Sequence, residues 1–194
     1  MDVKDAVLQR RSVRSYKNKD VKLEVLGEIL DIARYAASSG NLQNWKFIIV
    51  TDDKVKEEIA TVCLEQMWMT EAPAYIVICN QFKKVTETFG KLGKMYSIQN
   101  CANVATTIML LAKEYGLDTC WIGGFNNDSI QRILKIPEDV DPEIILTIGY
   151  ENDVKVSEPV REELKTLVFF EKWGKKEAKI KGGFFNKLKK ILKK

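Results

Sequence analysis

Four short stretches of the 194-residue chain hold the side chains with the most chemical reach. The first is RRSVRSY, with Arg10, Arg11, Ser12, Arg14 and Tyr16. Guanidinium forks pair bidentately with phosphate oxygens, and a hydroxyl adds a donor. The same arginines also suit a helix C-terminus, where they face the negative end of the dipole. The second stretch, SSGNLQNW, gathers Ser38, Ser39, Gly40, Asn41, Gln43 and Trp45. Its amides and hydroxyls match a planar heterocycle with alternating donors and acceptors, or equally an ordinary capped loop. The third, LDTCWIGGFNND, ends an apolar run at Gly123 and Gly124. Paired glycines there mark either a plain turn or the close approach of another group to bare backbone. The fourth is Arg161, within EPVREELKTLVFFEKWG.

Absences narrow the chemistry further. The chain has no histidine. Ser-His and Cys-His nucleophiles are therefore excluded, as are histidine-containing zinc and haem sites. Its four cysteines, Cys63, Cys79, Cys101 and Cys120, are widely spaced, with neither zinc spacing nor a disulfide framework. The first three read as buried free thiols, while Cys120 lies in the glycine stretch and could face a ligand. Demanding chemistry then falls to a bound cofactor. Residues 175–194 hold nine lysines of the chain's 31 basic residues and one of its 27 acidic ones, so the body is acidic on balance. That argues against nucleic acid as a partner. No apolar run nears the ~20 residues of a membrane span, and the N-terminus lacks a signal-peptide core. A cytoplasmic protein is expected.

Apolar periodicity supplies the elements that must position these residues. Helices are expected over 2–10, with Asp2 as N-cap, 22–37 and 53–66, the last capped by Asp52. Strands are expected at 45–51, 73–80, 117–124 and 143–150, with a fifth at 166–171. Residues 81–93 show no clear period and read as a loop or lid. The segment 97–116 is a helix apolar on nearly all sides, which implies burial all round and favours a dimer interface. Gly116 is its expected C-cap. A short helix follows near 127–135, and Pro137 and Pro142 punctuate the loop after it. The pattern is that of an α+β or α/β domain.

Taken in order, the motifs resemble the nitroreductase family of flavoproteins over about residues 3–174. Arg10, Ser12 and Arg14 match the family's R-x-S-x-[RK]; Ser39, Asn41, Gln43 and Trp45 match S-x-N-x-Q-P-W. Gly116, Leu117, Thr119, Trp121, Ile122, Gly123, Gly124 and Phe125 match G-L-x-[ST]-x-W-I-G-G-F. Arg161 and the terminal Glu171, Lys172 and Trp173 match the closing motifs. Three family prolines are absent, replaced by Ala37, Asn44 and Glu163.

The resemblance implies an α+β fold. It has a central mixed sheet of four or five strands flanked by helices, and a C-terminal strand exchanged across a homodimer. FMN would lie in a groove at the subunit interface. Trp121, Ile122, Gly123 and Gly124 would run along the isoalloxazine, with a backbone N–H near its N5. Arg10, Arg11, Ser12, Arg14 and Arg161 would gather the phosphate and ribityl chain. Ser38, Ser39, Asn41 and Gln43 would approach from the other subunit. The implied activity is a ping-pong transfer from NADH or NADPH through the flavin to a small acceptor such as a nitroaromatic or quinone. A flavin-binding electron relay, tethered by the basic tail, is the alternative. Residues 1–174 are expected to form the flavin-binding domain and 175–194 a lysine-rich tail. In the tail, Phe184, Phe185, Leu188, Ile191 and Leu192 share one helical face, which suits an anionic membrane surface, a partner protein, or merely a solubilising extension.

Overall fold

A computed structural model describes residues 1–152, 159–176, 183 and 186. Apart from Gly183 and Asn186, the expected amphipathic tail lies outside the described residues. The chain forms two compact units, residues 1–156 and 157–194.

In the first unit, α1 (Val3–Gln9) and α2 (Leu23–Ala33) precede β1 (Trp45–Val50), α3 (Asp53–Val62) and β2 (Ala74–Asn80). Then come α4 (Lys83–Phe89), α5 (Gly93–Glu114), β3 (Asp118–Ile122), α6 (Asn127–Leu134) and β4 (Asp141–Gly149). The Asp2 and Asp52 carboxylates cap α1 and α3 as expected, accepting from Lys4 N and Val55 N at 3.1 and 3.0 Å. Helix α2 ends at Ala33, short of its expected end, although Ala36 still packs against the core. Gly116 follows the end of α5 with φ +70°, the left-handed conformation that glycine adopts without a Cβ penalty.

Among the described residues the sheet has four strands, ordered β1-β2-β4-β3. All three pairings are antiparallel, not mixed. The parallel component is one bridge, Ser12 to Thr119, against the outer edge of β3. Strand β2 is buried on both faces. Ile76 and Ile78 face a core shared with α2 and α5, including Leu26, Ile29, Val104 and Ile108. Tyr75, Val77 and Cys79 face a second core with Ile59 of α3 and Ile130 of α6. The period-two alternation of a strand thus sorts its side chains into two cores. Pro142 lies inside β4 rather than in the preceding loop, where the register shifts and Glu143 is left without a partner across from β2. A bulge is where a sheet interior tolerates proline.

Three expectations are corrected. Residues 81–93 are mostly helical: α4 is followed by a 3₁₀ turn over Gly90–Leu92. Only Val85 of α4 is buried, so no apolar period shows. Helix α5 begins at Gly93 because a Cβ there would sit 2.4 Å from Thr86 Cα, and only glycine lets the two helices meet. Within one chain, α5 leaves Met95 and Ile98 47% and 41% exposed. In the second unit, 166–171 is not a strand. Leu164–Leu167 form one helical turn, α7. The Lys176 ammonium donates to the carbonyls of Lys165, Thr166 and Val168, occupying acceptors that a sheet partner would otherwise use.

Candidate functional site

The outer edge of β3 gathers most of the candidate residues. Val13 N donates to Thr119 O at 3.1 Å, so the segment after α1 lies against that edge. Tyr16 pins the segment to the core: its hydroxyl bonds Val13 O at 2.9 Å and Thr147 Oγ1 at 2.7 Å. Arg10, Ser12 and Arg14 are thereby brought beside Cys120. Burial raises the Cys120 thiol above its ordinary value, against the pull of Arg14, the Ser12 hydroxyl and Arg10. Cys120 is 1% exposed, and a thiol in that state is a packing group. Arg14 lies over the Trp68 ring, 5.9 Å from its centroid. Among the described residues, neither the Arg10 nor the Arg14 guanidinium has a hydrogen bond or ion pair, whereas Arg11 Nη1 donates to Leu8 O and Arg10 O at 2.6 and 2.9 Å. Arg11 therefore caps α1.

Beyond β3 the backbone is bare. Gly123 and Gly124 are exposed, and neither has a positive φ, so no turn conformation demands glycine there. A Cβ on Gly123 would meet nothing closer than Trp121 Nε1 at 3.5 Å, an ordinary contact. On Gly124 it would press on Leu64 Cδ1 at 3.2 Å. Leu64 and Glu65 themselves have φ of 59° and 55°, a costly region for side chains of their size. Leu64 is 76% exposed and Trp121 37%, so the ledge is flanked by apolar groups open to solvent. No sequence signal marked Leu64, because its strained turn contains no glycine.

The Ser38–Gln43 loop stands elsewhere. Ser39 N and Oγ both donate to Asn100 Oδ1, at 2.9 and 3.1 Å. Asn100 Nδ2 donates to Asn44 Oδ1 at 2.7 Å, and Asn44 Nδ2 to Asn80 Oδ1 at 2.7 Å. Asn80 Nδ2 ends the series on Ser97 Oγ and on Glu143 Oε1, at 3.0 and 2.7 Å. Asn44, Asn80, Ser97 and Asn100 are all buried. Sequence reasoning missed this network, apart from noting Asn44 as a replaced proline; its members come from four separate elements.

Both the loop and the ledge lie at the same end of the sheet, since Trp45 is level with Asn80 and Asp141, and Ile122 with Ile145 of the same strand. They lie on opposite edges, however. Three strand spacings, roughly 14 Å, separate them within one chain. Arg161 belongs to the second unit, where it is exposed and donates to Val160 O at 3.2 Å. A polar groove of about 780 Å³, lined by residues such as Ser15, Lys17, Lys56 and Glu71, contains none of the candidate residues. Among the described residues, no helix is long and apolar enough to cross a membrane.

Known proteins are similar to this chain in sequence and in fold. A protein of Methanothermobacter thermautotrophicus, provisionally named NADH dehydrogenase/NAD(P)H nitroreductase, is 30% identical over 156 residues, covering 77% of this chain and 78% of its own. The structure of NfrA2 from B. megaterium superposes with a TM-score of 0.81 at 26% identity, covering 90% of this chain and 76% of that one. An FMN-dependent nitroreductase from Clostridium difficile R20291 gives a TM-score of 0.74 at 28% identity, covering 87% and 98%. The family model described as "Nitroreductase family" matches residues 7–71 and 66–150, across the arginine segment, the serine loop and the glycine ledge, and the chain belongs to the nitroreductase family.

Proposed function

We propose that the protein is an FMN-dependent oxidoreductase that passes reducing equivalents from NAD(P)H to a small acceptor such as a nitroaromatic or a quinone. The observation that carries this reading is the exposed backbone at Gly123, where nothing in the described chain requires a glycine. A flat ring resting on that backbone would require one. FMN dependence of the C. difficile relative supports FMN as that ring. The name of the M. thermautotrophicus relative supports NAD(P)H as the donor.

The residues present fit FMN. Arg10, Arg14 and the Ser12 hydroxyl would hold its phosphate. Arg11, committed to helix carbonyls, drops out of that set. Trp121, Ile122, Gly123 and Gly124 would face the ring. Ser38, Ser39, Asn41 and Gln43 would meet its polar edge from a second copy of the chain, because loop and ledge stand on opposite sheet edges. A homodimer therefore completes the site. Exposed apolar residues on α1 and α5, Val7, Leu8, Met95 and Ile98, supply a surface for it.

When bound, FMN supplies hydride acceptance and donation at N5. The chain holds the anion with fixed cations, offers backbone N–H donors free of side chains, and keeps water off one face. Donor and acceptor use the remaining face in turn, so no protein nucleophile or histidine is needed. With about 30 non-hydrogen atoms at ~0.3 kcal/mol each, FMN should bind with roughly sub-micromolar affinity.

The test is turnover. Purified protein supplied with FMN should oxidise many equivalents of NAD(P)H per flavin when a quinone or nitroaromatic is added. Protein that stays colourless with FMN and leaves NAD(P)H untouched would contradict the proposal.

A further inference from the structure

We infer that Asn100, on α5, is a positioning residue that sets the hydrogen-bond polarity of Ser39, making its hydroxyl an acceptor towards a ligand. The inference rests on the flavin reading only for the identity of that ligand.

The polarity follows from two acceptors that cannot become donors. The Ser97 backbone carbonyl accepts from Asn44 Nδ2 at 3.2 Å. The Glu143 carboxylate accepts from Asn80 Nδ2 at 2.7 Å, and the bulge at Pro142 and Glu143 brings it there. With Asn44 Nδ2 committed to Ser97 and Asn80, only its Oδ1 can face Asn100. Asn100 must then offer its own Nδ2 to Asn44 and its Oδ1 to the loop. Inverting Asn100 would set oxygen against oxygen at Asn44 and an amide NH₂ against the Ser39 N–H.

The consequence appears at the surface. Ser39 spends both its backbone N–H and its hydroxyl proton on Asn100 Oδ1, so the lone pairs of Oγ are what it can present outward. Ser38 Oγ accepts from Gln43 N at 3.1 Å, leaving its hydroxyl proton to donate. Gln43 Nε2 is held by Asn41 O and Oδ1 at 3.1 and 3.0 Å, which leaves its Oε1 to accept. A serine hydroxyl is ordinarily indifferent to donor or acceptor. This loop is not, and it selects a ligand donor, such as an imide N–H or a ribityl hydroxyl, opposite Ser39.

Asn100→Ala removes the acceptor that holds the Ser39 N–H and hydroxyl proton. Two readouts decide. Hydrogen exchange of the Ser39 amide, measured without FMN, should quicken about tenfold, the loss of roughly one hydrogen bond. FMN affinity, followed by flavin fluorescence quenching, should weaken about tenfold in Asn100→Ala and in Ser39→Ala, with the double variant no weaker than either. Folded Asn100→Ala with unchanged exchange at Ser39 overturns the inference, as do strictly additive losses in the double variant. If Asn100→Ala does not fold, Asn100→Ser is used with the same criteria, since its shorter side chain cannot span to Ser39 but leaves a hydroxyl in the buried network. Wild-type protein that binds no FMN would defeat the flavin reading separately, and the exchange result would then decide the positioning role alone.

Discussion

Gly149 and Gly123 sit at the ends of neighbouring sheet strands and could hardly differ more in what surrounds them. A Cβ on Gly149 would lie 2.5 Å from Pro73 Cδ and 2.9 Å from Tyr16 Cδ1. One on Gly123 would find ordinary contact at 3.5 Å and open space otherwise. The fold accounts for the first glycine and leaves the second unexplained. The polar groups divide in the same way. The Asn44–Asn80–Asn100 network is closed, and no buried side-chain nitrogen or oxygen among the described residues lacks a partner. Arg10 and Arg14, by contrast, stand beside β3 without an ion pair among the described residues. A group whose demands are met inside the chain is structural. One whose demands are not met faces something outside it.

The contrast can be broken or sharpened by substitution. The largest effect belongs to Gly149→Ala, which drives a methyl into backbone-anchored neighbours. Loss of about 3 kcal/mol in urea unfolding is expected, and a stability close to wild type would mean that the crowding at this strand end relaxes easily. Next is the interior itself. Burial pushes the thiols of Cys63, Cys79 and Cys101 up to about 12, from 9.0 when exposed. The native state therefore keeps protons that the unfolded chain releases, and stability should fall as pH rises from about 9 to 12, fully present below that window. Denaturant midpoints measured across it provide the check; a flat profile would show that these thiols are not confined in the core. The smallest effect on the fold is expected for Arg14→Gln. FMN affinity should weaken about tenfold through loss of one charge-assisted contact, with the unfolding midpoint unchanged. Equal losses of stability and affinity would assign Arg14 to the structure.

Much of this was legible in the sequence, for physical reasons that also explain the omissions. AYIVICN and EIILTIGY announce themselves because strands buried on two faces must be apolar without interruption. Asp2 and Asp52 announce helix starts because few residues cap well. Helix α4 stayed hidden because one buried valine makes no period. At 166–171 β propensity suggests a strand, but within one chain Leu164–Leu167 form a helical turn and Lys176 bonds the carbonyls of Thr166 and Val168. Within the candidate site, residue type marks Arg10, Ser12 and Arg14, and the paired glycines mark Gly123. Asn100 was invisible: its partner Asn44 is 56 residues away, and an asparagine inside an apolar helix carries no local mark. Sequence alone cannot say that Arg11 Nη1 is engaged by the carbonyls at the end of its own helix.

The account rests most heavily on Gly123 being bare for the sake of a bound ring, and Gly123→Val tests it most directly. Wild type and variant should unfold at the same urea concentration, within about 0.5 kcal/mol, because the described chain leaves room for the side chain. In the same preparations, fluorescence titration should show FMN binding in the wild type and its loss, or at least a hundredfold weakening, in the variant. A variant that binds FMN as tightly as wild type and is reduced by NAD(P)H at the same rate would contradict the account.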